Sequence, residues 1–115
     1  MKEFMLLFRN ITGDGQYIST PQDMQEDMPK WQQWMGAIAR QGKLVSSKPI
    51  DYAGVVVSND GVSEGPYVEG QELVAGYLIC KAENLDEAVN FGKSCPILKY
   101  PQGSVEVRAI LPFEA

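Results

Sequence analysis

The chain has 115 residues, of which 44% are hydrophobic and 22% are charged, and its formal net charge is −5. This length predicts one globular domain, residues 1–115, that is large enough to bury a core of its own. The acidic balance argues against nucleic acid and against an anionic membrane surface as partners, because both are bound through Lys and Arg side chains.

The absence of histidine and the small number of cysteines limit the catalytic and metal-binding sites that the chain can form. There is no histidine, so no Ser–His–Asp arrangement exists, and with two cysteines, Cys80 and Cys95, we expect neither a metal site nor a cofactor. One cysteine pair in a domain with its own core does not indicate a disulfide framework. No N-terminal stretch has a basic region, an apolar segment and a cleavage site in order, so no signal peptide is expected. These features predict a cytoplasmic protein with reduced thiols.

The first predicted element is a strand over KEFMLLFR, Lys2–Arg9, which is rich in strand-forming residues. A loop signal, Gly13 and Gly15 around Asp14, follows it. A helix is then predicted from the N-cap residue Thr20.

The predicted helix has an apolar stripe, and it ends near Gly42 after Arg40. Pro21 suits its first position. Pro29 lies inside the pattern and predicts a kink or a division into a short and a long helix. The residues of the stripe are Met24, Met28, Trp31, Met35 and Ile38.

Five strands and a second helix are predicted in the remainder of the chain. KLVSSKPI is a strand, YAGVVVS and VSEGPY form a hairpin with Asp60–Gly61 at its tip, and QELVAGYLICKA is the longest strand. NLDEAVNFGKSCP is a helix capped by Asn84 and stopped by Pro96. SVEVRAIL is the last strand. The inward positions predicted for the second helix are Leu85, Ala88, Val89 and Phe91.

This order of elements is β-α-β, an inserted hairpin, then β-α-β. It predicts an α+β fold of the ferredoxin-like type, with two helices on one face of an antiparallel sheet.

Both faces of the predicted central strands are apolar. In the first strand Phe4, Leu6 and Phe8 lie on one face, opposite Met5, Leu7 and Arg9 on the other. In the long strand, alternation places Leu73, Ala75, Tyr77 and Ile79 opposite Val74, Gly76, Leu78 and Cys80. Two helices cover one face only, so a second copy of the chain is expected on the other face as a homodimer. The alternative is a monomer whose sheet is covered by the inserted hairpin.

Several segments resemble, in order, the YCII-related proteins, also called the DGPF-domain family. They are STPQDM, QGKLVSSKPI, EGPYVEGQELVAGYLI, NLDEA, CPIL and GSVEVRAI. Glu64 and Tyr67 stand where the family motif has Asp and Phe. The resemblance implies a dimeric α+β barrel. It implies no definite activity, and the His–Asp pair of some relatives has no counterpart in a chain without histidine.

Arg9 and Arg108 form the first candidate site, since both are predicted on the sheet face away from the helices. Two guanidinium groups in a cleft would bind a carboxylate or a phosphate. The alternative is an ion pair of an arginine with Glu106, or a salt bridge between subunits.

Residues near the hairpin exit form a second set of candidates. Tyr67 with Glu69 and Glu72 suits acid–base chemistry if burial raises the pKa of a carboxyl group, and the alternative is a solvated rim. Tyr77 lies in the middle of a strand, where it either lines a pocket or belongs to the core with its hydroxyl bonded.

The tryptophans and cysteines complete the candidate set. Trp31 is expected in the core. Trp34 lies beside the stripe, where it either forms an aromatic pocket wall or simply packs. Cys95 lies near a helix C-terminus, which disfavours a thiolate, and Cys80 is expected to be an inert buried thiol.

These features favour a protein that binds a small anionic metabolite beside the sheet. The candidate pocket residues are Arg9, Trp34, Tyr67, Glu69, Tyr77 and Arg108. The alternatives are an isomerase, lyase or hydrolase that uses carboxylate and tyrosine chemistry with arginine clamps, and a purely structural dimer.

Overall fold

A computed structural model describes residues 1–11, 21–51, 53–69, 72–100 and 102–112, with the side chains of 11 and 21–25 excepted. The described elements, in chain order, are β1 (Lys2–Ile11), α1 (Pro21–Arg40), β2 (Leu44–Pro49), β3 (Val55–Ser58), β4 (Gly61–Glu64), β5 (Glu72–Ala82), α2 (Leu85–Lys93), a 3₁₀ helix (Pro96–Lys99) and β6 (Ser104–Ala109). The predicted loop around Gly13 and Gly15 and the predicted N-cap Thr20 lie outside the described residues.

Four strands form the main sheet in the order β2-β5-β1-β6, and every neighbouring pair is antiparallel. Strands β3 and β4, which lie between β2 and β5 in the sequence, form a separate hairpin. This order is the split βαβ arrangement, so the predicted ferredoxin-like α+β fold is confirmed. The hairpin turn is Asn59–Asp60, one residue earlier than predicted, and Gly61 with φ 119° begins the return strand.

One sheet face, which we call the covered face, packs against both helices. In an antiparallel pair, directly opposed residues share a face. Phe4 lies opposite Cys80 and Leu6 lies opposite Leu78, and all four are at most 3% exposed. The same cluster contains Trp34 and Ile38 of α1 and Ala88 of α2.

A β-bulge changes the faces of β5. Phe8 is paired with Gly76 but Arg9 with Val74, so Ala75 is an extra residue on β5. As a result Val74 shares a face with Arg9, while Leu73 is 1% exposed. The prediction that Leu73 shares the face of Tyr77 and Ile79 is therefore wrong, because strict alternation does not cross a bulge.

Gly76 marks a close approach of two strands on the covered face. A Cβ atom placed there would lie 2.9 Å from the carbonyl oxygen of Lys48 and 3.2 Å from Phe8 Cδ2. A side chain at this position would have to displace the backbone of β2, which explains why glycine fits here.

Helix α1 is continuous through Pro29, so the predicted division into two helices is wrong. Pro29 is on the exposed side of α1, where water can satisfy the carbonyl group that loses its partner. Among the described side chains of α1, those of Asp27, Trp34 and Ile38 are buried. Met28 is exposed, so the stripe predicted through Met28 is displaced by one residue there.

The ends of the helices follow the predicted chemistry. Gly42, with φ 71°, donates from its N–H to Ala39 O, and Lys43 donates to Ile38 O, which is a Schellman motif at the end of α1. Asn84 Oδ1 accepts a hydrogen bond from the Glu87 N–H at 2.9 Å, so the predicted N-cap of α2 is confirmed. Leu85 is exposed, contrary to the prediction that it packs inward.

Candidate functional site

The sheet face opposite the covered face, which we call the open face, has an apolar centre and a polar rim. Met5 lies opposite Ile79 and Leu7 opposite Tyr77, and these four side chains are half-buried. The rim consists of Ser46 and Lys48 on β2 and of Ser104, Glu106 and Arg108 on β6. Both described helices pack against the covered face, so neither shelters these side chains.

A cleft of about 500 Å³ lies where the open face meets the inserted hairpin. Arg9 and Val74 form its sheet side and Tyr67 borders it from the segment after β4. We call it the Arg9 cleft, and its other lining residues are Ile50, Asp51, Ala53, Gly54, Val55, Val56, Val57 and Pro66. The lining that the described residues provide is therefore mostly apolar, with one guanidinium group, one carboxylate and one phenol.

Arg9, Glu106 and Arg108 form a chain of charges across β1 and β6. Arg9 Nη2 donates to Glu106 Oε1 at 2.9 Å, and Arg108 Nε lies 4.0 Å from Glu106 Oε2. The Arg9 side chain is 26% exposed, whereas that of Arg108 is 70% exposed. The two arginines share the open face with a carboxylate between them, so the ion pair with Glu106 that the sequence left open is present.

The other predicted pocket residues are more dispersed. Tyr77 is on the open face, and its hydroxyl lies 3.4 Å from Ser46 Oγ. Glu69 is exposed and pairs through its backbone with Glu72. Tyr67 is 71% exposed at the border of the Arg9 cleft. The cleft thus brings together Arg9 and Tyr67.

Trp34 belongs to the covered side instead. It is 7% exposed, its Nε1–H donates to Phe91 O at 2.9 Å, and its ring packs edge-on against Phe8 and Trp31. It also borders a second cavity of about 440 Å³, between α1 and the 3₁₀ helix. Trp34 therefore does not share a cleft with Arg9, because the sheet separates them.

A buried carboxylate bonded to Lys99, which lines this second cavity, was not among the predicted site residues. Asp27 of α1 accepts hydrogen bonds from Lys99 Nζ and from the Tyr100 hydroxyl. Burial acts to raise the pKa of Asp27, but the hydrogen bonds from Lys99 and Tyr100 outweigh it and hold that pKa below the ordinary value of 3.8. An acidic residue four positions before Trp31, on the same helical face, was the signal in the sequence.

The two thiols are free and buried. Burial raises the pKa of Cys80 to about 11 and that of Cys95 to about 12. Because these pKa values lie well above 7, thiolate chemistry at neutral pH is not favoured at either cysteine.

Among the described residues, no three His, Cys, Asp or Glu side chains gather as a group able to hold a metal ion.

Comparison with known proteins places the chain in a family and a fold. A model of the YCII-related domain matches residues 4–114. A solved structure of 5-chloro-2-hydroxyhydroquinone dehydrochlorinase (TftG) from Burkholderia phenoliruptrix AC1100, in complex with 2,5-dihydroxybenzoquinone, is similar with a TM-score of 0.50 and 16% identity, over 91% of this chain and 90% of that one. At this identity the likeness shows the fold. No curated protein matches the sequence, and no helix in the described parts of the chain is long and apolar enough to cross a membrane.

Proposed function

The chain belongs to the YCII-related family, and from that premise we propose that it forms a homodimer that binds a small organic anion in the Arg9 cleft. The observation that carries the proposal is the half-buried guanidinium group of Arg9 in the wall of a mostly apolar cleft. Guanidinium groups bind carboxylates and phosphates through paired hydrogen bonds, and partial desolvation strengthens those bonds.

The ion pair with Glu106 leaves Arg9 able to bind a second anion. A guanidinium group has five N–H donors, and Glu106 Oε1 accepts from Nη2. A ligand carboxylate or enolate can therefore approach another edge of the same group. Glu106 still competes with that ligand, because it neutralises part of the positive charge that the ligand would feel.

The remaining lining indicates the shape of the ligand. Ile50, Val56, Pro66 and Val74 supply apolar walls, which suit a ring or a short hydrocarbon body. Asp51 also lines the cleft and would repel a second negative charge unless the ligand presents a hydroxyl group there. The proposed ligand is thus a small, partly apolar anion with a hydroxyl group. 2,5-Dihydroxybenzoquinone, the ligand in the TftG complex, is a small ring compound with hydroxyl groups and serves as one probe.

The open face supports the proposed homodimer. Its central side chains Met5, Leu7, Tyr77 and Ile79 are half-buried in a lone protomer, and a second copy would exclude the remaining water from them. Symmetric dimers are the commonest oligomers. We place this dimer in the cytoplasm, where both buried thiols stay reduced.

Titration calorimetry with benzoate, phosphate and 2,5-dihydroxybenzoquinone as probes tests the anion site. We expect at least one organic anion to bind, and Arg9→Gln to weaken its binding by about tenfold or more, since hydrogen bonds to charged groups contribute about 1.5–3 kcal/mol. Glu106→Gln removes the competing carboxylate and is expected to leave binding equal or tighter.

Lys93→Gln is the matched control, because Lys93 is an exposed cation on α2, far from the open face. It should not change the affinity. If the probes bind equally well to wild type and Arg9→Gln, or if Glu106→Gln weakens binding as much as Arg9→Gln does, the Arg9 cleft is not the site.

A second candidate, a small-molecule enzyme, is favoured by the group of Asp27, Lys99 and Tyr100, of which Lys99 lines the second cavity. Asp27 accepts hydrogen bonds from both the Tyr100 hydroxyl and Lys99 Nζ, and a tyrosine hydroxyl bonded to a carboxylate can serve as an acid–base element. TftG, which has the same fold, is a dehydrochlorinase. If a catalytic turnover is measured for the wild type, its loss in Tyr100→Phe would favour the enzyme hypothesis, provided that this variant keeps its fold and its anion binding in the Arg9 cleft.

A further inference from the structure

The net charge of the chain lies entirely in the segment that contains the hairpin. Residues 49–80 include Asp51, Asp60, Glu64, Glu69 and Glu72 and no Lys or Arg, which gives −5. The other residues carry ten acidic and ten basic side chains and are neutral in sum. A surface that fits this segment should therefore be basic.

The hairpin also has an apolar side that no described element covers. Val57 lies directly opposite Val62, and Val55 is on the same side two residues away. Their exposures are 63% for Val55, 75% for Val57 and 67% for Val62. An isolated two-stranded hairpin is marginally stable in water, so this side gains stability from packing against another surface.

The shape of the protomer agrees with a projecting hairpin. Its radius of gyration is 15.1 Å, against about 13 Å for a compact chain of this length. Strands β3 and β4 form a two-stranded sheet of their own, apart from the main sheet. Apart from each other, neither strand packs closely against another described element, which is the arrangement that an arm reaching beyond its own protomer requires.

We propose that the β3–β4 hairpin is an arm that docks on the rim of the open face of a second copy of this chain. Its valines Val57 and Val62 would pack beside the apolar centre of that face, and its carboxylates Asp60 and Glu64 would meet the basic rim. The cation best placed for this role is Arg108 of the second copy. In the protomer described here, the Arg108 side chain is 70% exposed and its Nε lies 4.0 Å from Glu106 Oε2.

The distribution of charge favours docking of the hairpin on the rim of the partner's open face over a contact between two hairpins. Two hairpins in contact would bring two segments of −5 together, and that contact would be repelled. The rim of the open face instead offers Lys48 and Arg108 as exposed cations. Because the hairpin also lines the Arg9 cleft, the same arm would hold one wall of the cleft in place.

This inference rests on the homodimer of the proposed function, and sedimentation equilibrium separates the two. The double variant Val57→Asn, Val62→Asn should raise the dimer dissociation constant about tenfold or more, because it removes two buried valines from the contact. Ser63→Asn, on the other side of the same hairpin, is the matched control and should leave the constant unchanged.

Charge reversal tests the partner surface. Arg108→Glu should weaken the dimer several-fold, and Asp60→Lys with Glu64→Lys should restore it in the Arg108→Glu background, which isolates the pairwise coupling. Lys93→Glu controls for net charge. A dimer that keeps the wild-type constant in the valine double variant rejects the arm and leaves the homodimer standing. A monomeric wild type rejects both, while anion binding at Arg9 remains a separate measurement.

Discussion

The two faces of the main sheet differ although both are rich in apolar residues. On the covered face, Leu6 and Leu78 are 0% exposed, and the helices complete their packing within one chain. On the open face, the neighbouring residues Leu7 and Tyr77 are half-buried and are flanked by arginines and a glutamate. The covered face accounts for the stability of the protomer. The open face has partly exposed apolar side chains and charged groups, so we expect a second copy of the chain and a small anion to bind on this side of the sheet.

The largest expected effect contrasts two adjacent leucines. Leu6→Ala removes a fully buried side chain and should reduce the free energy of unfolding by about 2–5 kcal/mol. Leu7→Ala removes the same atoms from the open face and should cost about 1 kcal/mol in a lone protomer, since less apolar area is lost. Urea denaturation at a low protein concentration measures both variants.

The same pair reports on the dimer when the concentration is raised. The cost of Leu7→Ala should then increase, because the dimer buries the side chain, whereas the cost of Leu6→Ala should stay constant. Equal costs for the two variants at every concentration would mean that the two faces do not differ as described.

A smaller effect is expected for the contact that anchors α1 on the covered side. Asp27→Asn weakens the hydrogen bonds with Lys99 and Tyr100 and should reduce the free energy of unfolding by about 1–3 kcal/mol at pH 7. Since folding lowers the pKa of Asp27 from 3.8, its stabilising contribution is complete well above pH 3.8 and is lost as the pH falls through the pKa of the folded state.

Denaturation at a series of pH values checks that sign. The stability difference between wild type and Asp27→Asn should shrink as the pH falls below 3.8. A difference that stays constant or grows in acid would show that the ionised carboxylate is not what stabilises the contact.

The prediction with the smallest consequence for stability concerns the alkylation rates of the two thiols on the covered face. With the pKa of Cys80 raised to about 11 and that of Cys95 to about 12, both thiols should react with iodoacetamide at pH 8 far more slowly in the native protein than in urea. Mass spectrometry of alkylated peptides distinguishes the two sites. Rapid native modification of Cys80 would mean that the covered face is open to solvent.

The order of the elements could be predicted because each depends on local signals. Asn84 and Gly42 act within one turn of chain, and the alternation of β1 extends over Phe4, Leu6 and Phe8 without a break. The face of Leu73 could not be predicted, because the bulge at Ala75 is fixed by pairing with β1 and not by the sequence of β5 itself.

The candidate site was predictable to a lesser extent, for a physical reason. Alternation placed Arg9 and Arg108 on the open face, but the contact of Glu106 with both of them depends on the register between β1 and β6. Asp27 was missed because an acid on a helix is ordinarily solvated, and its partners Lys99 and Tyr100 are more than 70 residues away in the chain.

The central claim is that the open face is covered by a second copy of the chain, and sedimentation equilibrium of the wild type beside Leu7→Asp tests it most directly. The account predicts a wild-type particle of twice the 12.7 kDa chain mass at micromolar concentration. It predicts a Leu7→Asp variant that remains folded by circular dichroism but sediments as a monomer. A wild type that sediments at 12.7 kDa under these conditions would contradict it.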